Sequence, residues 1–221
     1  MLPGKLSTAI CLIILTTATV PQSHGTDAPD QSQSMAAFTD PQSVPQDLAQ
    51  LDYTLNHTHS FSGRFTQYNP DGSTDQGQIF LRRPGKLRID YADPSPLLIV
   101  SDGVTLVQQD RALETSDRVP LASTPLHFFL RKKVNLAEDT EIIGLQKSPT
   151  EIRVTARDGN GEMEGSITMV FDAQTLAFRS WIITDAFGEQ TRVMMSDLQY
   201  NADLDPRLFI LRDDDRRDRR R

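Results

Sequence analysis

The chain has 221 residues, and its 23 Lys and Arg face 30 Asp and Glu, giving a net charge of −7. Broad nucleic-acid binding needs a basic face to neutralise phosphates, so an acidic chain argues against that partner class. A single cysteine, Cys11, excludes a disulfide framework and cysteine-based zinc sites.

Residues 1–25 read as a secretory leader that is removed on export. Lys5 precedes the apolar run Ala9–Leu15, which small residues extend to Val20. This is too short for the ~20 apolar residues of a membrane span. Two cleavage sites fit the small-residue rule, after Gly25 with Ser23 at −3, or after Ala18 with Thr16 at −3. Cys11 lies inside the apolar run, not after it, which is the wrong place for lipid attachment. Residues 26–42 are rich in Gln, Ser, Asp and Ala without periodicity and read as a flexible linker.

The folded domain is expected over residues 43–211. Ser43 and Gln46 have capping-box spacing, and Pro45 is tolerated in a first helical turn. Val44, Leu48, Leu51 and Leu55 then form one apolar stripe, so a helix should run to about Asn56–Ser60. From Phe61 the period becomes two, with Phe61, Gly63, Phe65 and Gln67 on one face. Strands follow at Gln76–Arg82, Lys86–Tyr91, Leu97–Ser101 and Val104–Gln109, with another in Arg111–Val119. Turn signals separate them at Pro70–Ser73, Pro84-Gly85 and Asp102-Gly103. Ser123–Lys132 breaks the alternation with a short helix that is apolar nearly all round, and Asn135–Asp139 suggests a further helical turn. Strands resume at Glu141–Gln146, Glu151–Arg157, Gly165–Phe171, Phe178–Asp185 and Gln190–Leu198. Leu204–Leu211 reads as a loop and a closing edge segment. Residues 212–221 hold six Arg and four Asp and read as a disordered charge run.

These elements predict a mainly β domain with some α structure. A single antiparallel sheet of ten or eleven strands must roll up or be covered, and apolar helical segments are available as the cover. Catalytic signatures are missing: Ser101-Asp102-Gly103 is no nucleophile elbow, and no phosphate loop or H-E-x-x-H occurs. His57 and His59 have no third ligand nearby, and His127 sits in the apolar helix as a core residue would. The expectation is therefore a container, neither an enzyme nor a metalloprotein, needing no cofactor and no metal.

Several stretches also resemble a known family in their order and spacing. They are Phe61–Gln67, Gly77–Leu81, Arg83–Tyr91, Pro94, Leu98–Val107, Thr124–Leu130 and Leu208-Phe209. The chain resembles the periplasmic outer-membrane lipoprotein carrier proteins, the LolA family. The resemblance implies an incomplete antiparallel β-barrel covered by short helices that form a lid over an apolar cavity for lipoprotein acyl chains. It implies a monomer that receives cargo from an inner-membrane ABC lipoprotein exporter and passes it to an outer-membrane acceptor lipoprotein. It also implies that the arginine preceding the turn proline, here Arg83 with Arg82 beside it, latches the lid and couples its closure to release. Alternation then nominates Phe65, Leu87, Ile89, Leu98, Val100, Leu106, Phe128, Trp181 and Ile183 as the cavity lining. Three rivals remain: the acceptor of the same pathway, a lipid- or stress-sensing module of related fold, and an envelope lipid hydrolase. The acceptor would carry a cysteine just after the leader's apolar run, which this chain lacks.

Overall fold

The structure, a computed structural model, describes residues 44–160 and 164–211. The expected leader, linker, Ser43 cap and charged tail lie outside the described residues.

Helix α1 (Val44–His57) leads into six strands: β1 (Ser60–Tyr68), β2 (Thr74–Arg82), β3 (Lys86–Tyr91), β4 (Leu97–Asp102), β5 (Thr105–Asp110) and β6 (Thr115–Pro120). Two short helices follow, α2 (Leu126–Leu130) and α3 (Leu136–Asp139). Five more strands complete the sheet: β7 (Glu141–Lys147), β8 (Glu151–Arg157), β9 (Ser166–Asp172), β10 (Phe178–Thr184) and β11 (Gln190–Tyr200). The chain then makes a 3₁₀ helix, Pro206–Phe209.

All eleven strands form one antiparallel sheet in the order β6-β5-β4-β3-β2-β1-β11-β10-β9-β8-β7. Two meanders, β1–β6 and β7–β11, are thus joined by the pairing of β1 with β11, which sets Phe65 opposite Met195. The strands consecutive across the middle of the chain, β6 and β7, are the two ends of the sheet. A barrel would close between them, and the segment connecting them is the helical one. The sheet is therefore curved and open, and α1, α2 and α3 supply its apolar cover.

Turn chemistry fixes the hairpins. Gly85 has φ +70, and a Cβ there would lie 2.5 Å from the Cα of Gly103, so the β2–β3 and β4–β5 turns touch. Only glycine fits that approach. Asp102 Oδ1 accepts from the amides of Val104 and Thr105 at 2.8 and 2.9 Å, closing the β4–β5 turn.

Period-two alternation sorts the faces. Phe61 and Phe65, Ile79 and Leu81, Leu87, Ile89 and Tyr91, and Leu97 and Ile99 fall on one face and join a single buried cluster. Ala156 and Val154, Ile167, Met169 and Phe171, and Trp181, Ile183 and Val193 extend it across the other meander. Leu48, Leu51 and Leu55 of α1 are buried against this cluster, as the stripe predicts.

The C-terminal expectation needs correction. Leu204–Leu211 does not add an edge to the sheet. Its 3₁₀ helix packs on the outer face over β3 and β4, where Arg88 Nη1 donates to the Leu208 carbonyl at 3.4 Å and Arg82 Nη1 to the Leu204 carbonyl at 3.4 Å. Pro206 removes an amide and sets φ for a helical turn, and Asp205 caps it through the Arg207 amide.

Candidate functional site: the apolar interior and its helical lid

The inner face of the sheet is apolar over most of its width. Its aromatic centre gathers Phe129 of α2, Phe178 and Trp181 of β10, and Phe171 of β9, with ring centroids 5.4–6.2 Å apart. Phe65 and Tyr91 form a second edge-to-face pair at 5.0 Å. Gly77 makes room for the Phe65 ring: a Cβ there would lie 2.7 Å from Phe65 Cε1. Tyr91 is buried yet satisfied. Its hydroxyl donates to Gln67 Oε1 at 2.7 Å, Gln67 Nε2 donates to Asn69 Oδ1, and Asn69 Nδ2 donates to Asp75 and Ser73. Burial holds the Tyr91 hydroxyl protonated far above the usual phenol range.

Seven of the nine nominated lining residues belong to the interior cluster: Phe65, Leu87, Ile89, Leu106, Phe128, Trp181 and Ile183. Leu98 and Val100 do not. They are buried, but on the opposite face, because Ile89 pairs with Ile99 while Arg88 pairs with Val100 and Asp90 with Leu98. β4 is apolar at four consecutive positions, so alternation is silent on its parity; its outer side is buried because the C-terminal segment covers it. Leu97 and Ile99 take the inward positions.

Phe129, Phe171 and Phe178 were not nominated. Ile167, Met169 and Phe171 alternate plainly and could have been found. Phe178 is hidden by a bulge between Phe178 and Ser180, which puts it on the face of Trp181 despite a spacing of three.

The lid is tied by polar contacts at its ends. Arg83 Nη1 donates to the carbonyl of Leu55 in the last turn of α1, an acceptor it shares with the Thr58 amide at 3.2 Å. The guanidinium is mostly buried, and desolvation lowers its pKa to about 10. The backbone beside it holds α2: the Gly85 amide donates to the Leu130 carbonyl at 2.8 Å. One turn, Arg83-Pro84-Gly85, therefore grips two helices. Arg82 points outward to the C-terminal segment. Asn56 binds the Val134 backbone through both its amide atoms, and Asp52 accepts from the Leu136 amide at 3.0 Å. Asp47 and Lys147 pair at 2.8 Å between α1 and the end of β7.

His57 engages the Tyr53 carbonyl of its own helix at 2.7 Å. The His127 ring is half-buried, and desolvation, then the charge of Arg131, lower its pKa. Among the described residues no group of three His, Cys, Asp or Glu is placed to hold a metal ion.

The described residues thus form an open antiparallel half-barrel, lined with apolar side chains and roofed by short helices. The chain belongs to the LolA family: the family model described as outer membrane lipoprotein carrier protein LolA matches residues 56–212. An outer-membrane lipoprotein carrier protein from Azotobacter vinelandii is 25% identical over 188 residues, covering 78% of this chain and 87% of the relative. One from Chromobacterium violaceum is 28% identical over 178 residues, covering 73% and 81%. Among solved structures, a LolA superfamily protein from Nitrosomonas europaea is similar with a TM-score of 0.44 at 13% identity, covering 75% of this chain and 97% of that one.

Proposed function

We propose that this protein is a periplasmic chaperone that holds the acyl chains of lipoproteins between the inner face of its sheet and its helical lid. It takes them from an inner-membrane ABC exporter and gives them to the outer membrane, through an acceptor lipoprotein where the cell has one. It works as a monomer, exported by its leader, without catalysis or cofactor. The observation that carries this reading is the continuous apolar inner face, roofed by helices that hydrogen bonds can release.

The energetics explain the lid. Each buried methylene is worth ~0.8 kcal/mol, so chains of tens of carbons would bind too tightly to leave an open apolar trough. Closure over the empty interior opposes this. Opening then costs free energy that cargo binding has to offset, and the surplus sets how readily cargo leaves. Arg83 is the proposed latch, because it is cationic, mostly buried and aimed at a helix C-terminal carbonyl. Phe65, Leu87, Ile89, Leu106, Phe128, Trp181 and Ile183 are the proposed lining.

Native mass spectrometry of the protein purified from periplasm, followed by lipid extraction, tests the reading. A 1:1 complex with a triacylated lipoprotein is expected. A clean apo mass with no uptake of an apolar fluorescent probe would sink it. Arg83→Leu should still bind lipid but fail at hand-over; normal transfer by that variant would remove Arg83 from the mechanism.

A further inference from the structure

Among the described residues, the two halves of helix α1 carry different kinds of polar tie. Its second half is tied at several points. Asp52 accepts from the Leu136 amide, Arg83 reaches the Leu55 carbonyl, and Asn56 pairs twice with Val134. Asn201 Nδ2 donates to the His57 carbonyl at 3.3 Å, and the His59 amide donates to Asn201 Oδ1 at 2.9 Å. These ties reach the α2–α3 linker, the β2–β3 turn and the end of β11.

The first half meets the sheet at a different kind of place. Lys147 Nζ lies 2.8 and 3.0 Å from the two carboxylate oxygens of Asp47. The Asp47 side chain is 9% exposed, while that of Lys147 is 39% exposed. Lys147 ends β7, the terminal strand of the sheet, which among the described strands pairs with β8 alone. Its register partner is Ile152, which pairs in turn with Phe171 of the inner face. Leu48, next to Asp47, and Ile152 both belong to the interior apolar cluster.

Resting on the carrier reading above, we propose that α1 is a lever hinged at its C-terminal turns, and that the seam between Asp47 and Lys147 is the portal for acyl chains. Parting this seam breaks no sheet hydrogen bond, because among the described residues no strand lies beyond β7. At the other end, opening would have to break the hydrogen bonds of Asp52, Arg83, Asn56 and Asn201. An ion pair with a part-exposed lysine is also weak and screened by salt, so it suits a gate that opens often. A chain that passes it meets Leu48 and Ile152 at once.

The test fixes the seam shut. In the mature protein, Asp47→Cys and Lys147→Cys are bridged by a short reducible bis-methanethiosulfonate. Bridging should slow uptake of an apolar fluorescent dye at least tenfold, and reduction should restore it. A bridged protein that fills as fast as the unbridged one overturns the portal. Amide hydrogen exchange tests the lever. Lys147→Gln should speed exchange in the first two turns of α1 by about fivefold or more, since it removes the cation beside a mostly buried carboxylate. The last two turns should keep the wild-type rate, and Lys147→Arg should match wild type throughout. Acceleration spread evenly along α1, or none, overturns the lever. Failure of the carrier reading is separable, because it shows as wild-type protein that never takes up the dye, whatever the exchange gradient.

Discussion

Asn56 and Val134 face each other as two strands would: the Asn56 side-chain amide donates to the Val134 carbonyl at 2.9 Å, and the Val134 amide donates to Asn56 Oδ1 at 2.8 Å. One side chain thus completes the backbone bonding of the α2–α3 linker and fixes it to α1. Asn56→Ala leaves a part-buried amide and carbonyl unpaired, each costing ~1 kcal/mol or more. Urea unfolding should show a loss of ~1–3 kcal/mol. Dye uptake should be faster as well, because the same bonds hold the lid. A variant that loses stability with unchanged uptake would place this contact outside lid motion.

Trp181 is the chain's single tryptophan, and it lies 5.5 Å from Phe129 of α2. Its emission therefore reports the interior and the position of the lid helix together. Filling the interior with an apolar ligand should change Trp181 emission, and Phe129→Ala should blunt the change. Phe129→Ala should also destabilise the protein by ~3–5 kcal/mol, the usual cost of emptying a buried phenylalanine site. An unaltered Trp181 spectrum on saturation with ligand would mean that cargo sits elsewhere.

Asp52 accepts one backbone amide but is partly desolvated and stands near Asp139 and Glu138, and its pKa is raised, chiefly by burial. A raised pKa means that the folded state favours the protonated form. Asp52 therefore contributes most stability below its unfolded value near 3.8, and that contribution is lost as pH rises through the folded pKa. Asp52→Asn keeps an acceptor for Leu136 and removes the charge. It should be more stable than wild type at pH 7, with the difference shrinking toward pH 3 in parallel thermal melts. A wild-type advantage at neutral pH would show that the charge on the carboxylate is favourable there.

Much of this architecture could be read from the residues, for a physical reason. Alternation, turn glycines and the α1 stripe are local signals, and they place the eleven described strands and α1, α2 and α3 within about four residues, though not the 3₁₀ helix at Pro206–Phe209. The pairing of β1 with β11 is not local. No short-range pattern says that the two meanders join there, leaving β6 and β7 as free ends. The family resemblance supplied the half-barrel that periodicity alone left open. The ties of the lid were partly visible: Arg83 stood out beside its turn proline, whereas Asp47 and Lys147 are 100 residues apart and ordinary in their local context. Leu98 and Val100 were misplaced because a strand buried on both faces carries no parity.

Neighbouring residues of β4 face opposite compartments, and a pair of substitutions separates the two. Leu98 and Ile99 are both nearly inaccessible, at 0% and 4% exposure. Ile99 belongs to the interior cluster, whereas Leu98 lies on the face that the C-terminal 3₁₀ helix covers. Either alanine variant should cost ~2–5 kcal/mol, since each removes a buried aliphatic side chain. Only Ile99→Ala should change dye affinity or the chain length of the preferred lipid. Leu98→Ala should leave both untouched and instead loosen the segment around Phe209, seen as faster hydrogen exchange or proteolysis after Leu204. If Leu98→Ala alters ligand binding as Ile99→Ala does, the outer face communicates with the interior and the carrier site is larger than the inner face of the sheet.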